Sequence, residues 1–201
     1  IQYLGEIRPS GVTHLKPVRV LRPGRVMLLD EMTRRNLELI EPMRGGEEGG
    51  TLLDVLDDTV TAMGGRQLRR WVLEPLVVTE EIWARQNAVS ELVDAPELRQ
   101  SLRDALGGFS DLERIAGKFG TLRVAPRDLM SLRISLQRLP LIKEACSGAS
   151  SALLRSLGVE IDLLEDIVDL LSHAIADDPP STLHEGGVIR QGWSAELDDI
   201  R

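Results

Sequence analysis

The chain has 201 residues and a formal net charge of −8, and its hydrophobic residues, 42% of the total, include few aromatics. This length suits one large domain, or one domain and part of another, with a core built from aliphatic side chains. The sequence shows no signal peptide and no apolar run near the roughly 20 residues that a membrane helix needs. We therefore expect a soluble protein.

The charges are unevenly distributed. Residues 157–201 hold 11 acidic and 2 basic residues, a net −9, whereas residues 61–143 hold 13 basic and 10 acidic residues, a net +3. Surfaces that bind nucleic acid are normally basic, so the acidic end is a poor DNA surface and the middle is at most mildly receptive.

Two further features bear on where the protein works and whether it is complete. Cys146 is the only cysteine, which excludes an internal disulfide and predicts a half-buried structural thiol in a reducing cytoplasm. The chain begins at Ile1 without an initiator methionine, and Ser194–Arg201 resembles the start of a helix. We therefore expect a fragment that shares its function with missing parts.

The first 50 residues predict short elements. A helical end is expected over 1–7, followed by a loop to residue 17 and by strands 18–22 and 25–29 on either side of a Pro-Gly turn. Asp30 is a natural N-cap for a brief helix that ends at Asn36. Residues 44–50, rich in glycine and glutamate, predict an exposed loop.

From Thr51 the apolar residues follow a helical period. A short helix over 52–56 should stop at Asp57-Asp58, and the next should cover 61–72 and end before Pro75. Gly64-Gly65 in that second helix indicates either close helix packing or a later helix start. Thr79 is the predicted N-cap of a helix whose buried face includes Ile82, Ala88, Val89 and Leu92.

Helical patterns continue towards the C-terminus. A helix should run from Pro96 to Leu106 and break at Gly107-Gly108, and Ser110–Glu113 predicts a capping box for the next. Pro126 should start a longer helix with a leucine seam, which Pro140 interrupts. The seam predicts an intramolecular helix pair rather than a dimer zipper; its leucines are Leu129, Leu132, Leu136 and Leu139.

Two more helices, 149–157 and 163–176, should precede an extended excursion near 183–193. The predicted fold is therefore mainly α, a multi-helix core domain with a few short strands near the N-terminus.

No spacing of catalytic, cofactor-binding or metal-ligating residues is recognisable. The glycine clusters lack the lysine of a phosphate loop. The three histidines, His14, His173 and His184, have no ligand spacing. Adjacent aspartates such as Asp57-Asp58, 177–178 and 198–199 do not face each other on a helix, and we interpret them as solvated caps and faces.

The densest basic spots are Arg34-Arg35 and the trio Arg66, Arg69 and Arg70. Arg66 and Arg70 are four residues apart and share a helical face. They could contact phosphate, or pair with nearby acidic residues or another domain. Trp71, Trp83 and Trp193 are too scattered to form a base-stacking platform.

A series of short blocks, in order along residues 27–198, resembles the MutS family of DNA mismatch repair proteins. The blocks are Met27–Leu39, Thr51–Thr59, Thr61–Trp71, Glu74–Leu76, Arg85–Val89, Asp111–Ile115, Ala125–Leu129, Gly186–Ile189 and Glu196–Asp198. The resemblance implies that residues 1–17 end the connector domain and that residues 18–201 form the first part of the core, or lever, domain, before the clamp.

For the parent protein, the resemblance implies ATP and Mg²⁺ as cofactors, a homodimer on mismatched DNA and MutL as a partner. The family's mismatch-stacking and Walker motifs are absent from this sequence. Our first hypothesis is therefore a structural segment that couples DNA binding to ATP hydrolysis elsewhere. The alternatives are an autonomous helical nucleic-acid-binding domain, suggested by the basic middle, and an enzyme with an unrecognised carboxylate site.

Overall fold

A computed structural model describes residues 24–43 and 50–200, and this part of the chain is mainly α-helical, as predicted. A 3-10 helix, Leu183–Glu185, lies before the last α-helix. The α-helices are α1 (Glu31–Asn36), α2 (Leu52–Leu56), α3 (Ala62–Leu73), α4 (Thr79–Asp94), α5 (Pro96–Leu106), α6 (Leu112–Gly120), α7 (Pro126–Leu136), α8 (Leu139–Ser147), α9 (Ala152–Glu160), α10 (Glu165–Ala174) and α11 (Ala195–Ile200). Among these residues no helix is long and apolar enough to cross a membrane.

The chain divides into two compact units. Of the residues that the structure describes, unit 1 contains 111–133 and 165–200, and unit 2 contains 24–43, 50–110 and 134–164. Each unit therefore joins segments that are distant in sequence.

The core of unit 2 lies where α4 meets the start of α9. Ala88, Ala149 and Leu154 are buried together, and the small alanines allow the backbones to approach closely. Glu91 on α4 closes one side of this contact, because its carboxylate accepts hydrogen bonds from the amides of Ser150 and Ser151. These hydrogen bonds satisfy amides that precede α9, and they lower the pKa of Glu91.

A second close approach in unit 2 joins α8 and α9 at Gly158. A Cβ on Gly158 would lie 2.9 Å from the Ser147 amide nitrogen and 3.0 Å from the Cys146 Cβ. Both distances are shorter than ordinary carbon contacts, so only glycine fits here without a shift of one helix.

The core of unit 1 surrounds the end of α10. Leu171, Ala174, Ile175 and Val188 are buried, and Leu129 and Leu132 of α7 pack against them with Ile167 and Ile189. The extended excursion is confirmed, since Ile175 and Ile189 form an antiparallel bridge. It follows the 3-10 helix rather than beginning at residue 183.

Two aspartates, Asp177 and Asp128, tie surface groups together in unit 1. Asp177 accepts hydrogen bonds from Arg190 at 2.6 Å and Arg133 at 3.2 Å, and the Arg133 side chain is only 9% exposed. Asp128 accepts hydrogen bonds from the Lys118 ammonium at 2.6 Å and from the amide of Ala125. Burial raises the pKa of Asp128, but these hydrogen bonds outweigh burial and leave it lowered.

Two predicted helix caps are wrong. Thr79 is the first residue of α4, and Val78 before it makes no side-chain cap. Asp111, not Ser110, caps α6, because its carboxylate accepts a hydrogen bond from the Arg114 amide. Ser110 is used differently, since its amide donates to the buried Ser135 hydroxyl at 2.9 Å. The predicted N-cap at Asp30 and the predicted helix start at Pro96 are both confirmed.

The predicted strand over 25–29 is reduced to a single antiparallel bridge between Val26 and Leu76. The Met27 amide donates to the Pro75 carbonyl at 2.7 Å, so this segment pairs with the residues after α3. The predicted partner strand 18–22, the helical end 1–7 and the loop residues 44–49 lie outside the described residues.

Two apolar predictions also need correction. The leucine seam is not one helix, because α7 ends at Leu136 and Leu139 opens α8 with Pro140 in its first turn. Val89, predicted to be buried, is 60% exposed, whereas Ala88 beside it is in the core. Leu129 and Leu132 pack inside the chain, as the intramolecular interpretation requires.

Candidate functional site

The start of α3 is built on two glycines. Thr61 caps the helix by accepting a hydrogen bond from the Gly64 amide at 3.0 Å. A Cβ on Gly64 would lie 2.9 Å from the Thr61 hydroxyl oxygen, and a Cβ on Gly65 would lie 3.3 Å from that of Thr59. The predicted close helix packing is therefore wrong at these glycines, because their nearest neighbours lie in the preceding loop, residues 57–61.

The 57–61 loop is held from both sides. Asp57 accepts hydrogen bonds from the hydroxyl and the amide of Thr59, which lower the pKa of Asp57. Arg103 on α5 donates to the Asp58 carbonyl at 3.0 Å and contacts the Asp58 carboxylate at 3.1 Å. The exposed Asp57-Asp58 pair therefore does more than the predicted capping. Asp57 holds the loop to itself, and Asp58 ties the loop to α5.

The predicted basic residues do not converge on one place. Arg70 pairs with Glu74 at 3.0 Å along α3, which confirms the alternative of pairing with a nearby acidic residue. Arg66 and Arg69 are exposed on the same helix, and Arg35 is exposed on α1. A contact between these arginines and phosphate stays a prediction.

A depression of about 230 Å³ lies beside α3, and we call it the Trp71 pocket. The sequence patterns did not predict it. The Arg85 guanidinium carbon lies over the Trp71 ring, 4.0 Å from its centroid. Arg25 forms an ion pair with Glu81, and both residues line the pocket. The full lining is Arg25, Val26, Gln67, Arg70, Trp71, Glu74, Leu76, Glu81 and Arg85.

No local spacing could have revealed this pocket, because its residues come from three segments of the chain. Trp71 lies in the last turn of α3 and Arg85 lies within α4, with Pro75 and an extended turn between the two helices. Burial lowers the pKa of Arg85, which reflects a partly desolvated cation.

A larger groove, of about 1050 Å³, lies between α5 and α8. Its lining includes the apolar Leu98 and Leu141 and the acidic Glu97 and Glu144. Arg138 in the lining already donates hydrogen bonds to carbonyls at the end of α5, those of Asp104 and of Gly107, the residue that follows the helix. The groove therefore offers apolar surface and scattered charge rather than convergent catalytic groups.

Of the remaining candidates, the three histidines and Cys146, His173 has a structural partner. His173 contacts the Asp169 carbonyl of its own helix at 2.7 Å, and His184 is exposed in the 3-10 helix. His14 lies outside the described residues. Cys146 is buried, and burial raises the pKa of its thiol. Within 24–43 and 50–200, no three or more histidine, cysteine, aspartate or glutamate side chains are grouped to hold a metal ion.

The other two aspartate pairs also differ from simple solvated faces. Asp177 bridges Arg133 and Arg190, and these hydrogen bonds lower its pKa. Asp198 on α11 accepts a hydrogen bond from the Gly192 amide at 2.6 Å. In both pairs a carboxylate stabilises backbone or side-chain geometry.

The described part of the chain is, by class, a helical domain in which many charged residues serve as caps, loop ties and ion pairs. Residues 32–199 match the family model described as MutS domain III, and the chain belongs to the MutS family.

Curated relatives agree with this assignment. The DNA mismatch repair protein MutS of Methanothrix thermoacetophila is 44% identical over 203 residues, covering 100% of this chain and 24% of that protein. The MutS proteins of Symbiobacterium thermophilum and Chlorobaculum tepidum are 44% and 40% identical over 201 residues, again covering all of this chain and 23% of each relative. The chain thus spans about a quarter of the length of these relatives.

Proposed function

We propose that this chain is the core segment of a DNA mismatch repair protein and couples mismatched-DNA binding to ATP binding and hydrolysis in other parts of the parent. The observation that carries the proposal is the set of contacts that hold the loop before α3. Gly64 packs on the 57–61 loop, and Arg103 ties that loop to α5. The match to MutS domain III supports the same role.

The physical argument is that a coupling element must resist local deformation. The close contact at Gly64 and the Arg103–Asp58 ion pair restrict the movement of the loop. A displacement of α5 or of α3 is therefore transmitted to the other helix rather than absorbed by the loop. Coupling between two binding sites is reciprocal, and its free energy is typically about 1–3 kcal/mol. The segment needs no catalytic residue of its own for this role.

The proposal also covers the cofactors, partners and neighbouring domains of the parent protein. ATP and Mg²⁺ would be bound outside this segment, and the parent would act in the cytoplasm as a homodimer on mismatched DNA, with MutL as a partner. Residues 1–17 would end the connector domain, and the clamp would follow the segment's last helix.

The test is Gly64→Leu in the full-length parent. The leucine Cβ would start 2.9 Å from the Thr61 hydroxyl oxygen and 3.5 Å from the Thr59 Cβ, so the Thr61 cap must shift and the larger side chain crowds the 57–61 loop. We expect mismatch-stimulated nucleotide exchange to fall about fivefold or more, while nucleotide affinity without DNA is unchanged. The control is Gly117→Leu, since a Cβ at Gly117 meets nothing within 4 Å. Normal exchange and normal stability in Gly64→Leu would contradict the coupling role.

The alternative of an autonomous nucleic-acid-binding domain has less support from the structure. Several arginines and lysines of the basic middle are engaged in ion pairs or carbonyl contacts; they include Arg70, Arg103, Lys118, Arg133 and Arg138. We expect negligible DNA binding by this chain at physiological salt. Tight binding with a steep salt dependence would favour the alternative, and nucleotide or nuclease turnover by the chain would favour an enzyme.

A further inference from the structure

We propose that the Trp71 pocket binds a carboxylate side chain carried by another protein segment, with Arg85 as its anchor. The pocket lies wholly within unit 2, and the proposal does not depend on the coupling role.

The charge balance of the pocket indicates an anion. Its lining contains three arginines and two glutamates. Arg70 pairs with Glu74, and Arg25 pairs with Glu81, so both glutamates are already used. Among the described residues Arg85 has no carboxylate partner, and its cation is balanced only by the Trp71 ring.

The geometry of Arg85 favours an oxygen pair as the missing partner. A guanidinium that stacks on an aromatic face keeps the N–H donors at its edge available. These donors form a planar fork that matches the two oxygens of a carboxylate or a phosphate. Because burial disfavours the lone cation of Arg85, an anion that reaches it would restore the lost stabilisation.

The surroundings favour a single protein carboxylate over a nucleic-acid backbone. A DNA strand carries one charge about every 3.4 Å along its axis, whereas the pocket lining has a single arginine, Arg85, that is not paired with a carboxylate among the described residues, so neighbouring phosphates would meet no second unpaired arginine there. The chain as a whole is also acidic, at −8. An aspartate or glutamate brings one charge, and its methylene groups can contact Val26 and Leu76 in the same lining.

The test is a titration of the ¹⁵N-labelled 201-residue chain with N-acetyl-glutamate N-methylamide at constant ionic strength. The signals are the Trp71 indole N–H and the Arg85 Nε–H. We expect saturable shifts with a Kd on the order of 10 mM, typical of one charge-assisted contact. The uncharged N-acetyl-glutamine N-methylamide should cause no saturable shift.

Three variants assign the shifts to Arg85. Arg85→Gln should abolish the saturable Trp71 shift, and Arg85→Lys should weaken it severalfold because an ammonium lacks the planar fork. Arg155→Gln removes the same charge from an exposed position on α9 in unit 2 and should leave the shift unchanged. Thermal melting of each variant, followed by circular dichroism, separates lost binding from lost folding.

The opposite results are equally clear. Absence of a saturable shift with the glutamate probe would overturn the proposal, and so would equal shifts with the glutamine probe. Tighter binding of inorganic phosphate or of a short DNA duplex at the same resonances would assign the pocket to phosphate and overturn the protein partner.

Discussion

Gly158→Ala would place a methyl group in the contact between α8 and α9. The new carbon would lie 2.8 Å from the Ser147 hydroxyl oxygen, 2.9 Å from the Ser147 amide nitrogen and 3.0 Å from the Cys146 Cβ. The hydroxyl can rotate away, but the backbone nitrogen can move only with its helix. We therefore expect a shift of one helix and a loss of stability.

The magnitude follows from two opposing effects. Overpacking a tight contact costs about 1–3 kcal/mol. Replacing a helical glycine by alanine gains about 0.5–1 kcal/mol through helix propensity and a less flexible unfolded chain. The net loss should lie between about 0 and 2.5 kcal/mol and centre on about 1 kcal/mol, or about 2–4 °C in Tm for a chain of this size.

The assay is thermal and urea unfolding followed by circular dichroism, with Gly117→Ala as the matched control. Gly117 is also helical, and a Cβ there meets nothing within 4 Å. The control should gain about 0.5–1 kcal/mol. Ser147→Ala in the Gly158→Ala background removes only the hydroxyl contact and should restore little. A stable Gly158→Ala, or full rescue by Ser147→Ala, would refute the argument from the backbone contact.

Other contacts give three further predictions. Asp128→Ala, which removes the partner of Lys118 and of the Ala125 amide, should cost about 2 kcal/mol in urea unfolding; a neutral result would mean that solvent replaces both contacts. The two arginines lower the pKa of Asp177 in the folded chain. The stability that this carboxylate adds to the fold is therefore fully present above its unfolded pKa of about 4, and it is lost as the pH falls through the folded pKa. Asp177→Asn should therefore flatten the acid limb of a stability–pH profile, and an unchanged limb would contradict the arginine bridge. Alkylation of Cys146 at about pH 8 should be roughly 100-fold slower in the folded chain than in urea, since the thiol is buried and its pKa is raised; equal rates would show that the α8–α9 contact opens freely.

Much of the helix order could be predicted from local chemistry. Asp30 caps α1, Pro96 begins α5, and Gly107 follows its end, because each of these residues acts on the backbone within one turn of itself. Periodicity also placed α2 and α3 within a residue of their observed bounds. The ordered motifs that resemble the MutS family were confirmed by the match over residues 32–199.

The errors occurred where a distant residue competes for a local group. Ser110 has the sequence of a capping-box serine, but its backbone is drawn to Ser135, 25 residues away, and Asp111 takes the cap. Val89 has the helical spacing of a core residue, yet the neighbouring Ala88 faces the core of unit 2.

The sequence by itself determined a mainly helical chain of the MutS family, because caps, glycines and apolar periods act over a few residues. Only the tertiary structure decided which glycine is packed against a loop, which aspartate bridges two arginines and which arginine lies on Trp71. Those features depend on segments that meet after the chain has folded, and the energy of a contact depends on the distance between its atoms rather than on their separation in sequence.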